Sequence, residues 1–350
     1  MSKEPDILRP ALLSDRFNTL SYDRESHEVI VLDRRVYPFE TRYERYGTVE
    51  GVARSIEEMV VQGGPPLAYV AGLGLALAAQ SCRGQHVAEQ RGCVEEAAKR
   101  LVRTRPTADD LHWLMEHALV AGLEAIELDE DAFEAILGYV EGEIARGNEV
   151  SRACGRHAAS LLESGDKVLT HCFAGAALNY MLFYAREQGK EIELIASETR
   201  PYLQGARLTA SQAVEMNIPV TVITDGMAAH LMSEGNVTKY VTAADRIALD
   251  GSICNKVGTF EHAIAARYHN IPFYVLGYDG PDPATPTGKD IPIEERNSRE
   301  VLFQGGQRIA VEGAQARYPA FDVTPPGLVS RIITERGIFE PGEMAAYFDA

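Results

Sequence analysis

Short apolar runs alternate with helix-length segments through the second half of the chain. The runs that predict strands are Lys167–Thr170, Ile192–Ala196, Val220–Thr224, Tyr240–Ala243 and Phe273–Leu276. Strands separated by helices favour right-handed crossovers and a parallel sheet covered by helices on both faces. Ligands of such sheets bind beyond the carboxyl ends of the strands, so polar residues at those ends are candidates for chemistry.

The first half of the chain has a different pattern. Glu28–Asp33 predicts a short strand, and Val49–Val61 has the apolar spacing of a helix that ends at a Gln-Gly-Gly sequence. Helical patterns then continue to about Arg146, and the segment Glu141–Ser151 is polar and contains glycine. We therefore predict an α/β protein of two domains, with the boundary in the region 125–155.

Composition and charge limit the kind of protein. The 350 residues are 45% hydrophobic and 24% charged, which is typical of a folded protein large enough for two domains. Thirty-four Lys and Arg residues oppose 51 Asp and Glu residues, which leaves a net charge of −17. A surface of this sign repels nucleic acid, whereas a few basic groups in one pocket can still bind a small phosphorylated substrate.

Nothing in the sequence predicts export or membrane association. The charged start Met1–Asp6 argues against a signal peptide and favours a cytoplasmic location. The apolar stretch Leu67–Ala79 is too short for a membrane span, which needs about 20 residues. Five scattered cysteines include no Cys-x-x-Cys pair, which argues against both a disulfide framework and a structural zinc site.

Cofactor signatures are equally absent. His171, His230 and His262 invite a metal hypothesis, but their spacing matches no ligand motif. No Gly-x-Gly-x-x-Gly sequence follows a predicted strand, so a dinucleotide site is not supported. We expect no metal and no cofactor.

Two predicted strands end in residues that can carry chemistry. Cys172 follows the strand that ends at Thr170 and precedes a helical pattern, where a helix dipole would lower the pKa of the thiol. The alternative is a small buried hydrophobic residue. Asp245 follows the strand Tyr240–Ala243 at the same predicted edge, and the alternative for it is a helix cap or an ion pair with Arg246.

Basic residues near predicted helix starts could bind an anion. Lys256 lies in Asn255–Thr259 before a helical pattern, an arrangement that can hold an anion with backbone amides and one ammonium. A solvated lysine is the alternative. Arg105, Arg200 and Arg207 could add positive charge, although surface arginines are common.

Several motifs occur together and in order along nearly the whole chain. They are Arg105–Ala108, Thr170–Cys172, Glu198–Pro201, Leu203–Thr209, Asp245–Ile247, Asn255–Lys256, Asp290–Arg296 and Ala320–Pro325. In these motifs the sequence closely resembles the methylthioribose-1-phosphate isomerase family. That family is related to ribose-1,5-bisphosphate isomerase and to the regulatory subunits of eukaryotic initiation factor 2B.

The resemblance implies an architecture and a site. It implies a mostly helical N-terminal domain with a small sheet over residues 1–145 and a Rossmann-like catalytic domain over residues 146–350. It also implies a homodimer and an active site between the domains. Cys172 and Asp245 would be the catalytic residues. The substrate-binding residues would be Gln62, Gly63, Gly64, Arg105, Gln204, Asn255 and Lys256.

The implied reaction converts a ribose 1-phosphate into a ribulose 1-phosphate, as in methionine salvage or a related salvage of 5-deoxysugars. The phosphate on the anomeric oxygen blocks simple ring opening, so an acid must protonate the ring oxygen. Asp245, kept protonated by an apolar pocket, would be that acid, and a Cys172 thiolate would take the proton from C2. A hydride shift from C2 to C1 would give the same product.

The chain departs from the family pattern at several positions. Gln62 replaces an arginine that contacts phosphate, Pro66 replaces an alanine, Phe173 replaces a common asparagine, and Ala243 replaces a glycine. These four changes lie in motifs that we expect to border the pocket. Tyr318 replaces an asparagine at a position outside those motifs.

These departures keep alternative functions open. The substrate could be another 5-substituted 5-deoxyribose 1-phosphate. A non-catalytic binding subunit of the initiation factor 2B type is a second hypothesis, which the presence of both Cys172 and Asp245 disfavours. Ribose-1,5-bisphosphate isomerase is a third, which the motifs at 290–296 and 320–325 disfavour.

Overall fold

The computed structural model describes residues 12–106 and 108–349. These residues form two compact units, and the division falls between Asn148 and Glu149. The charged start of the chain, Met1–Asp6, lies outside the described residues, as does Thr107 of the motif around Arg105.

The N-terminal unit is mostly helical and carries a small antiparallel sheet. The strands, which pair in the order β1-β2-β3, are β1 (Leu20–Asp23), β2 (Glu28–Leu32) and β3 (Tyr43–Tyr46). The helices are α1 (Arg16–Thr19), α2 (Val49–Glu57), α3 (Gly64–Ser81), α4 (Val87–Val102), α5 (Asp109–Glu127) and α6 (Ala132–Ala159). This arrangement confirms the expected helical domain with a small sheet.

Helix α3 forms the centre of this unit. From Ala68 to Ala79 every residue is buried, because the sequence is apolar on all sides of the helix. Helices α2, α4 and α5 pack around it, and the sheet contacts it through β1 and β2. Across the described part of the chain, no helix is both long enough and apolar enough to span a membrane.

The predicted strand and helix of the first half are largely confirmed. The strand expected at Glu28–Asp33 is β2, and the helix expected at Val49–Val61 is α2. Helix α2 ends four residues early, at Glu57, because Met59 adopts a left-handed conformation with a φ of 63°. The turn at Met59 leads the chain to Gln62, which lies two residues before the start of α3.

The C-terminal unit contains a second and larger set of strands. They are β4 (Lys167–Thr170), β5 (Glu193–Ser197), β6 (Val220–Ile223), β7 (Lys239–Ala243), β8 (Arg246–Ile247), β9 (Ile253–Lys256), β10 (Phe273–Tyr278), β11 (Phe303–Gln304), β12 (Gln307–Arg308), β13 (Phe321–Thr324), β14 (Arg331–Thr334) and β15 (Ile338–Phe339). The helices are α7 (Gly175–Glu187), α8 (Ala210–Glu215), α9 (Ala228–Ser233), α10 (Thr259–Tyr268) and α11 (Arg299–Leu302).

Seven of these strands form one sheet in the order β15-β14-β10-β7-β4-β5-β6. All neighbours are parallel except β15, which pairs antiparallel with β14 at the edge. The six parallel strands have the strand order of a Rossmann fold, in which the chain reverses its direction of progress at the central pair. Here the central pair is β4 and β7, and all five strands predicted from the apolar runs belong to this sheet.

A smaller, separate sheet follows β7 along the chain. Strand β9 lies between β8 and β13 and pairs antiparallel with both. The segment 294–296 continues this layer, because Ala320 N donates to Glu294 O at 2.8 Å and Arg296 N donates to Tyr318 O at 2.8 Å. The two motifs at 290–296 and 320–325 are therefore neighbours in space.

The polar segment Glu141–Ser151 lies within a helix rather than at a break between elements. It belongs to α6, which passes through the division between the two units. Gly147 is closely packed, because a Cβ at this position would lie only 2.5 Å from the Tyr69 hydroxyl. The glycines that suggested a boundary are thus sites of close packing or exposed positions of a continuous helix.

Two glycines of α6 provide a test of this packing. A Cβ on Gly155 would lie 2.7 Å from the Ala177 carbonyl oxygen and 2.8 Å from the Met181 nitrogen, both of them backbone atoms of α7. A Cβ on Gly142 would meet nothing within 4 Å. We expect Gly155→Ala to lower the free energy of unfolding by about 1–3 kcal/mol through overpacking.

The matched substitution Gly142→Ala should raise the free energy of unfolding by up to about 1 kcal/mol, because alanine is the better helix former. Urea denaturation of both variants measures the two effects. Equal effects of the two substitutions would contradict the close approach of α7 to α6.

Candidate active site

Cys172 lies in the connection between β4 and α7, at the carboxyl end of a central strand. Its backbone is left-handed, with a φ of 65°, which is unusual for a residue other than glycine. Two threonines hold this conformation. Cys172 N donates to Thr199 Oγ1 at 2.9 Å, and Thr209 Oγ1 donates to Cys172 O at 2.7 Å.

Thr199 is held in turn by Asp225. Thr199 also has a left-handed φ, of 64°, and its backbone N donates to one oxygen of the Asp225 carboxylate at 2.8 Å. Arg200 N donates to the other carboxylate oxygen at 2.7 Å. Sequence reasoning missed Thr199, Thr209 and Asp225 as positioning residues, although both threonines belong to motifs that it had singled out.

His171 is a buried structural residue. Its Nε2 lies 2.9 Å from Val257 O, so this nitrogen carries the hydrogen, and Nδ1 accepts from Ser197 Oγ at 2.6 Å. Burial, with the neighbouring His262, lowers the pKa of His171 to about 4. Among residues 12–106 and 108–349 no group of three or more His, Cys, Asp or Glu side chains could hold a metal ion.

Asp245 lies at the same sheet edge as Cys172. The parallel pairing of β4 with β7 sets Leu169 opposite Tyr240, so both strands deliver their next residues to one side of the sheet. Asp245 N donates to Cys254 O at 2.8 Å, which fixes the backbone where β7 ends. Loss of solvent around the carboxyl raises the pKa of Asp245, against the opposing influence of Lys256 and Arg296, although the residue itself is exposed. This direction agrees with the expectation from the sequence.

The prediction of a lowered pKa for Cys172 is wrong. Burial raises the pKa of this thiol to about 11, and the charge of Asp245 adds to the increase. Lys256 lowers the pKa but does not compensate for the loss of solvent. Helix α7 begins only at Gly175, so the thiol-bearing residue precedes its first turn and lies outside the range where the dipole acts strongly.

Lys256 is a buried cation beside these two groups. Its side chain is 3% exposed, and its ammonium has no hydrogen-bond partner among the described residues. The ammonium lies 4.5 Å from the ring centre of Phe321, its direct cross-strand neighbour on β13. Burial lowers the pKa of Lys256, whereas Cys172 and Asp245 favour its charged form. The interpretation of Lys256 as a solvated surface lysine is therefore wrong.

Asn255 precedes Lys256 on β9 and shapes the start of α10. Its Nδ2 donates to Thr259 Oγ1 at 2.9 Å, and that hydroxyl donates to Lys256 O at 2.7 Å. The carboxylate of Asp322 accepts from Gly258 N at 2.7 Å and from Phe260 N at 3.2 Å. These bonds fix the strand-to-helix turn from which the Lys256 side chain extends.

Arg296 adds a second cation to this layer. Its guanidinium donates to Glu294 Oε2 at 3.1 Å and lies 5.5 Å from the ring centre of Phe321. It also lowers the pKa of Cys172, which shows that its charge reaches the thiol. Sequence reasoning placed Arg296 in a motif but gave it no role.

Tyr318, which lies outside the motifs that were expected to border the pocket, belongs to the same cluster. The residue is 2% exposed, and the Lys256 ammonium lies 5.8 Å from its ring centre. The antiparallel contact between the segments 294–296 and 318–320 brings it there. Nothing in the sequence indicated that Tyr318 lies near Arg296, because about 20 residues, which include α11, β11 and β12, separate the two segments.

Gln204 and the nearby arginines have different environments. Gln204 precedes the π-helical turn Gly205–Thr209, and its Oε1 is buried with no hydrogen-bond partner among the described residues. Arg200 donates to the backbone oxygens of Val301 and Phe303, and Arg207 donates to Tyr202 O. Gln204 therefore has an acceptor that a ligand could satisfy, whereas both arginines bind backbone oxygens of this unit.

The other candidate binding residues belong to the N-terminal unit, where two of them converge on one turn. Gln62 Nε2 donates to Met59 O at 3.0 Å. The Arg105 guanidinium donates to the sulfur of Met59 and to Ile56 O. The turn after α2 thus brings Gln62 and Arg105 together.

The Gly63-Gly64 pair leads into α3 at this place. Gly63 has a φ of 93°, and a Cβ on Gly64 would lie 2.4 Å from the Asp110 carboxylate, so both positions require glycine. The next two residues, Pro65 and Pro66, have no backbone N–H and sit in the first turn of the helix. The start of α3 therefore offers fewer amide donors to an anion than an ordinary helix.

The chain thus has a helical unit, which bears candidate anion-binding groups, and a Rossmann-like unit. In the latter a thiol, a carboxyl and a buried ammonium occupy the edge of the central strands. The sequence matches the initiation factor 2 subunit family over residues 60–341. The chain belongs to this family.

Individual relatives narrow this assignment. A methylthioribose-1-phosphate isomerase of Anaeromyxobacter sp. is 42% identical over 351 residues, which cover 97% of each chain. The crystal structure of 5-methylthioribose 1-phosphate isomerase from Pyrococcus horikoshii has a TM-score of 0.85 and 35% identity, covering 95% of this chain and 94% of its own.

A third structure is described as the translation initiation factor eIF-2B, subunit delta, from A. fulgidus. It has a TM-score of 0.81 and 37% identity, covering 93% of this chain and 96% of its own. Within the family, this chain is an isomerase.

The raised pKa of Cys172 can be tested by alkylation. With a pKa of about 11, the thiolate fraction increases about tenfold for each pH unit between pH 7 and pH 9. We expect the rate of reaction of Cys172 with iodoacetamide to increase in the same proportion, as measured by peptide mass spectrometry. Lys256→Met should slow the reaction further, because the ammonium lowers the pKa of the thiol.

The unfolded chain is the control. Its thiols have an ordinary pKa of about 8.5, so the rate of their reaction levels off above that pH. A rate for folded Cys172 that is already constant from pH 7 to pH 8 would contradict the raised pKa.

Proposed function

We propose that this protein converts 5-methylthioribose 1-phosphate, or another 5-substituted 5-deoxyribose 1-phosphate, into the corresponding ribulose 1-phosphate. The reaction would serve methionine salvage or a related salvage of 5-deoxysugars and would need no cofactor. One observation carries the proposal. Cys172 and Asp245 extend from the carboxyl ends of the two central strands, and beside them lies the Lys256 ammonium, which has no hydrogen-bond partner in the part of the chain that the structure describes.

Asp245 is suited to the acid step. Its raised pKa favours the protonated carboxyl, which can donate a proton to the ring oxygen as the C1–O bond breaks. Loss of solvent causes the shift, so a bound ligand that displaces water from this exposed carboxyl would strengthen it.

Cys172 is suited to the proton transfer from C2. The thiol loses its own proton first, and the resulting thiolate takes the C2 proton and leaves an enol of C1 and C2. Return of a proton to C1, with loss of the C2 hydroxyl proton, gives the ketose 1-phosphate. The positive charges of Lys256 and Arg296 lower the pKa of Cys172 and so favour the thiolate.

We further propose that Gln62, Gly63, Gly64, Arg105, Gln204, Asn255 and Lys256 bind the substrate and that the protein works as a cytoplasmic homodimer. The lone buried ammonium of Lys256 and the unpaired Oε1 of Gln204 support this role for the C-terminal residues. The shared turn at Met59 supports a common role for Gln62 and Arg105.

A binding subunit without catalytic activity is the alternative. The resemblance to the A. fulgidus protein, described as an initiation factor subunit, favours it. The arrangement of Cys172 and Asp245 argues against it, because a surface that binds proteins does not need a thiol and an acid at the ends of the two central strands.

Turnover of a panel of 5-substituted ribose 1-phosphates tests the proposal. Cys172→Ser and Asp245→Asn should each reduce turnover of the preferred substrate by at least about 10²-fold, because each removes a group that transfers a proton. Ketose formation is the measurement. Incorporation of solvent deuterium at C1 would indicate proton transfer rather than the hydride shift.

Cys154→Ser is the matched control, because Cys154 is also buried but donates to Ile333 O within the same unit. It should retain turnover. No ketose from any panel member would overturn the proposed function and favour the binding subunit. Wild-type turnover in either active-site variant would remove that residue from the mechanism.

Gln62→Arg tests whether the absence of an arginine has weakened phosphate binding or accompanies a change in the shape of the site. An arginine would add a charge-assisted contact worth about 1.5–3 kcal/mol if phosphate lies there, which is roughly ten- to a hundredfold in affinity. We expect instead that it impairs turnover of the preferred substrate, because Pro66, Phe173 and Ala243 differ from the family pattern as well. Steady-state kinetics across the panel is the measurement.

Gln62→Met, which has similar length and no charge, separates the effect of charge from that of shape. Tighter binding of every panel member by the arginine variant would contradict a reshaped site. That result would instead indicate an ordinary site for methylthioribose 1-phosphate in which phosphate is bound less tightly.

A further inference from the structure

The position of Tyr318 is set by the backbone on both sides of it. Arg296 N donates to Tyr318 O at 2.8 Å, and Glu295 and Pro319 form an antiparallel bridge. Three residues after Tyr318 the chain enters β13, in which Phe321 is the direct partner of Lys256 on β9. Tyr318 therefore sits in a rigid layer beside Lys256, rather than in the connection that precedes it.

The hydroxyl of Tyr318 is buried beside the Arg296 guanidinium, but no described residue forms a hydrogen bond of regular geometry with it. The whole residue is 2% exposed. Burial of a hydroxyl without a partner costs free energy, and buried polar groups in proteins are satisfied in the great majority of cases. An unsatisfied hydroxyl on a rigid layer therefore calls for an explanation.

A second unsatisfied group lies next to it. The Lys256 ammonium is buried without a hydrogen-bond partner in the described chain and lies 5.8 Å from the ring centre of Tyr318. Two polar groups that form no regular hydrogen bond within residues 12–106 and 108–349 are thus adjacent, one a cation and the other a hydrogen-bond donor. Together they are complementary to an oxygen-rich anionic ligand.

The pair also lies within reach of the reacting groups. The charge of Cys172 raises the pKa of Tyr318, and Cys172 and Asp245 both favour the charged form of Lys256. Because the pKa of Tyr318 is raised by burial from an ordinary value of 10, the phenol keeps its proton at neutral pH and can donate it.

We propose that Tyr318 is a substrate-contacting residue, whose hydroxyl donates a hydrogen bond to an oxygen of the sugar phosphate beside the Lys256 ammonium. This inference rests on the proposed function and adds to it a residue that the family resemblance does not supply. Tyr318 would contribute to the choice of substrate, because its ring occupies space beside Lys256 and its hydroxyl recognises only a substrate that places an acceptor there.

Tyr318→Phe tests the inference, because it removes one oxygen atom and leaves the ring. We expect kcat/KM for methylthioribose 1-phosphate to fall about tenfold, which is the loss of one hydrogen bond of intermediate strength. We also expect the midpoint of thermal unfolding to stay the same or to rise, since no described residue forms a regular hydrogen bond with the lost hydroxyl. A purely structural role would not combine lower activity with undiminished stability.

Tyr347→Phe is the matched control. Tyr347 is also 2% exposed, but its hydroxyl donates to Thr334 Oγ1 at 3.1 Å. This variant should unfold at a lower temperature and keep the kcat/KM of the wild type.

The outcomes separate this inference from the proposed function. If wild type converts methylthioribose 1-phosphate and Tyr318→Phe does so with equal kcat/KM, the inference is overturned and the proposed function stands. If Tyr318→Phe loses stability as Tyr347→Phe does, its hydroxyl has a structural partner and the inference is also overturned. If wild type converts none of the panel, both fail together.

Discussion

Parallel pairing of β4 with β7 is the constraint on which the site depends. These two strands are adjacent in the sheet but far apart in the chain, because the strands between them in sequence extend the sheet on the other side of β4. With Leu169 opposite Tyr240, the chain leaves both strands at one edge. A thiol and an acid from separate motifs are thereby placed on the same side of one rigid sheet.

Burial governs the electrostatics at this edge. The pKa values of Cys172 and Asp245 are raised and that of Lys256 is lowered, so loss of solvent favours the neutral form of each group. The mutual attraction of the ammonium with the thiolate and the carboxylate opposes these shifts but does not cancel them. An anionic ligand would supply the partner that Lys256 lacks, and it would further disfavour ionisation of the carboxyl.

Positioning of Cys172 requires an unfavourable backbone conformation that other groups maintain. Cys172 and Thr199 are both left-handed, at a cost of about 1–3 kcal/mol for such residues. The Asp225 carboxylate holds Thr199 through two backbone amides, and Thr199 and Thr209 hold the two backbone polar groups of Cys172. The motifs around Glu198–Pro201 and Leu203–Thr209 therefore act on the thiol through its backbone.

Local pattern determined much of the fold. The five apolar runs predicted five strands of the large sheet, and the parallel class followed from the helical segments between them. The continuity of α6 through Glu141–Ser151 was missed, since glycine and polar residues signal a break only where packing does not require small side chains. The positions of Cys172 and Asp245 at strand ends were predictable for the same local reason.

Only the tertiary structure decided which groups that are distant in sequence lie together and how much solvent surrounds them. The pKa of Cys172 depends on burial by many segments, so a local argument from the helix start had the wrong sign. Tyr318 and Arg296 reach Lys256 through antiparallel pairing of segments that no local pattern connects. Sequence by itself thus determined which elements form and which residues end them. The folded chain alone determined which of those residues come together and how much solvent reaches each of them, because burial and long-range pairing are properties of the whole fold.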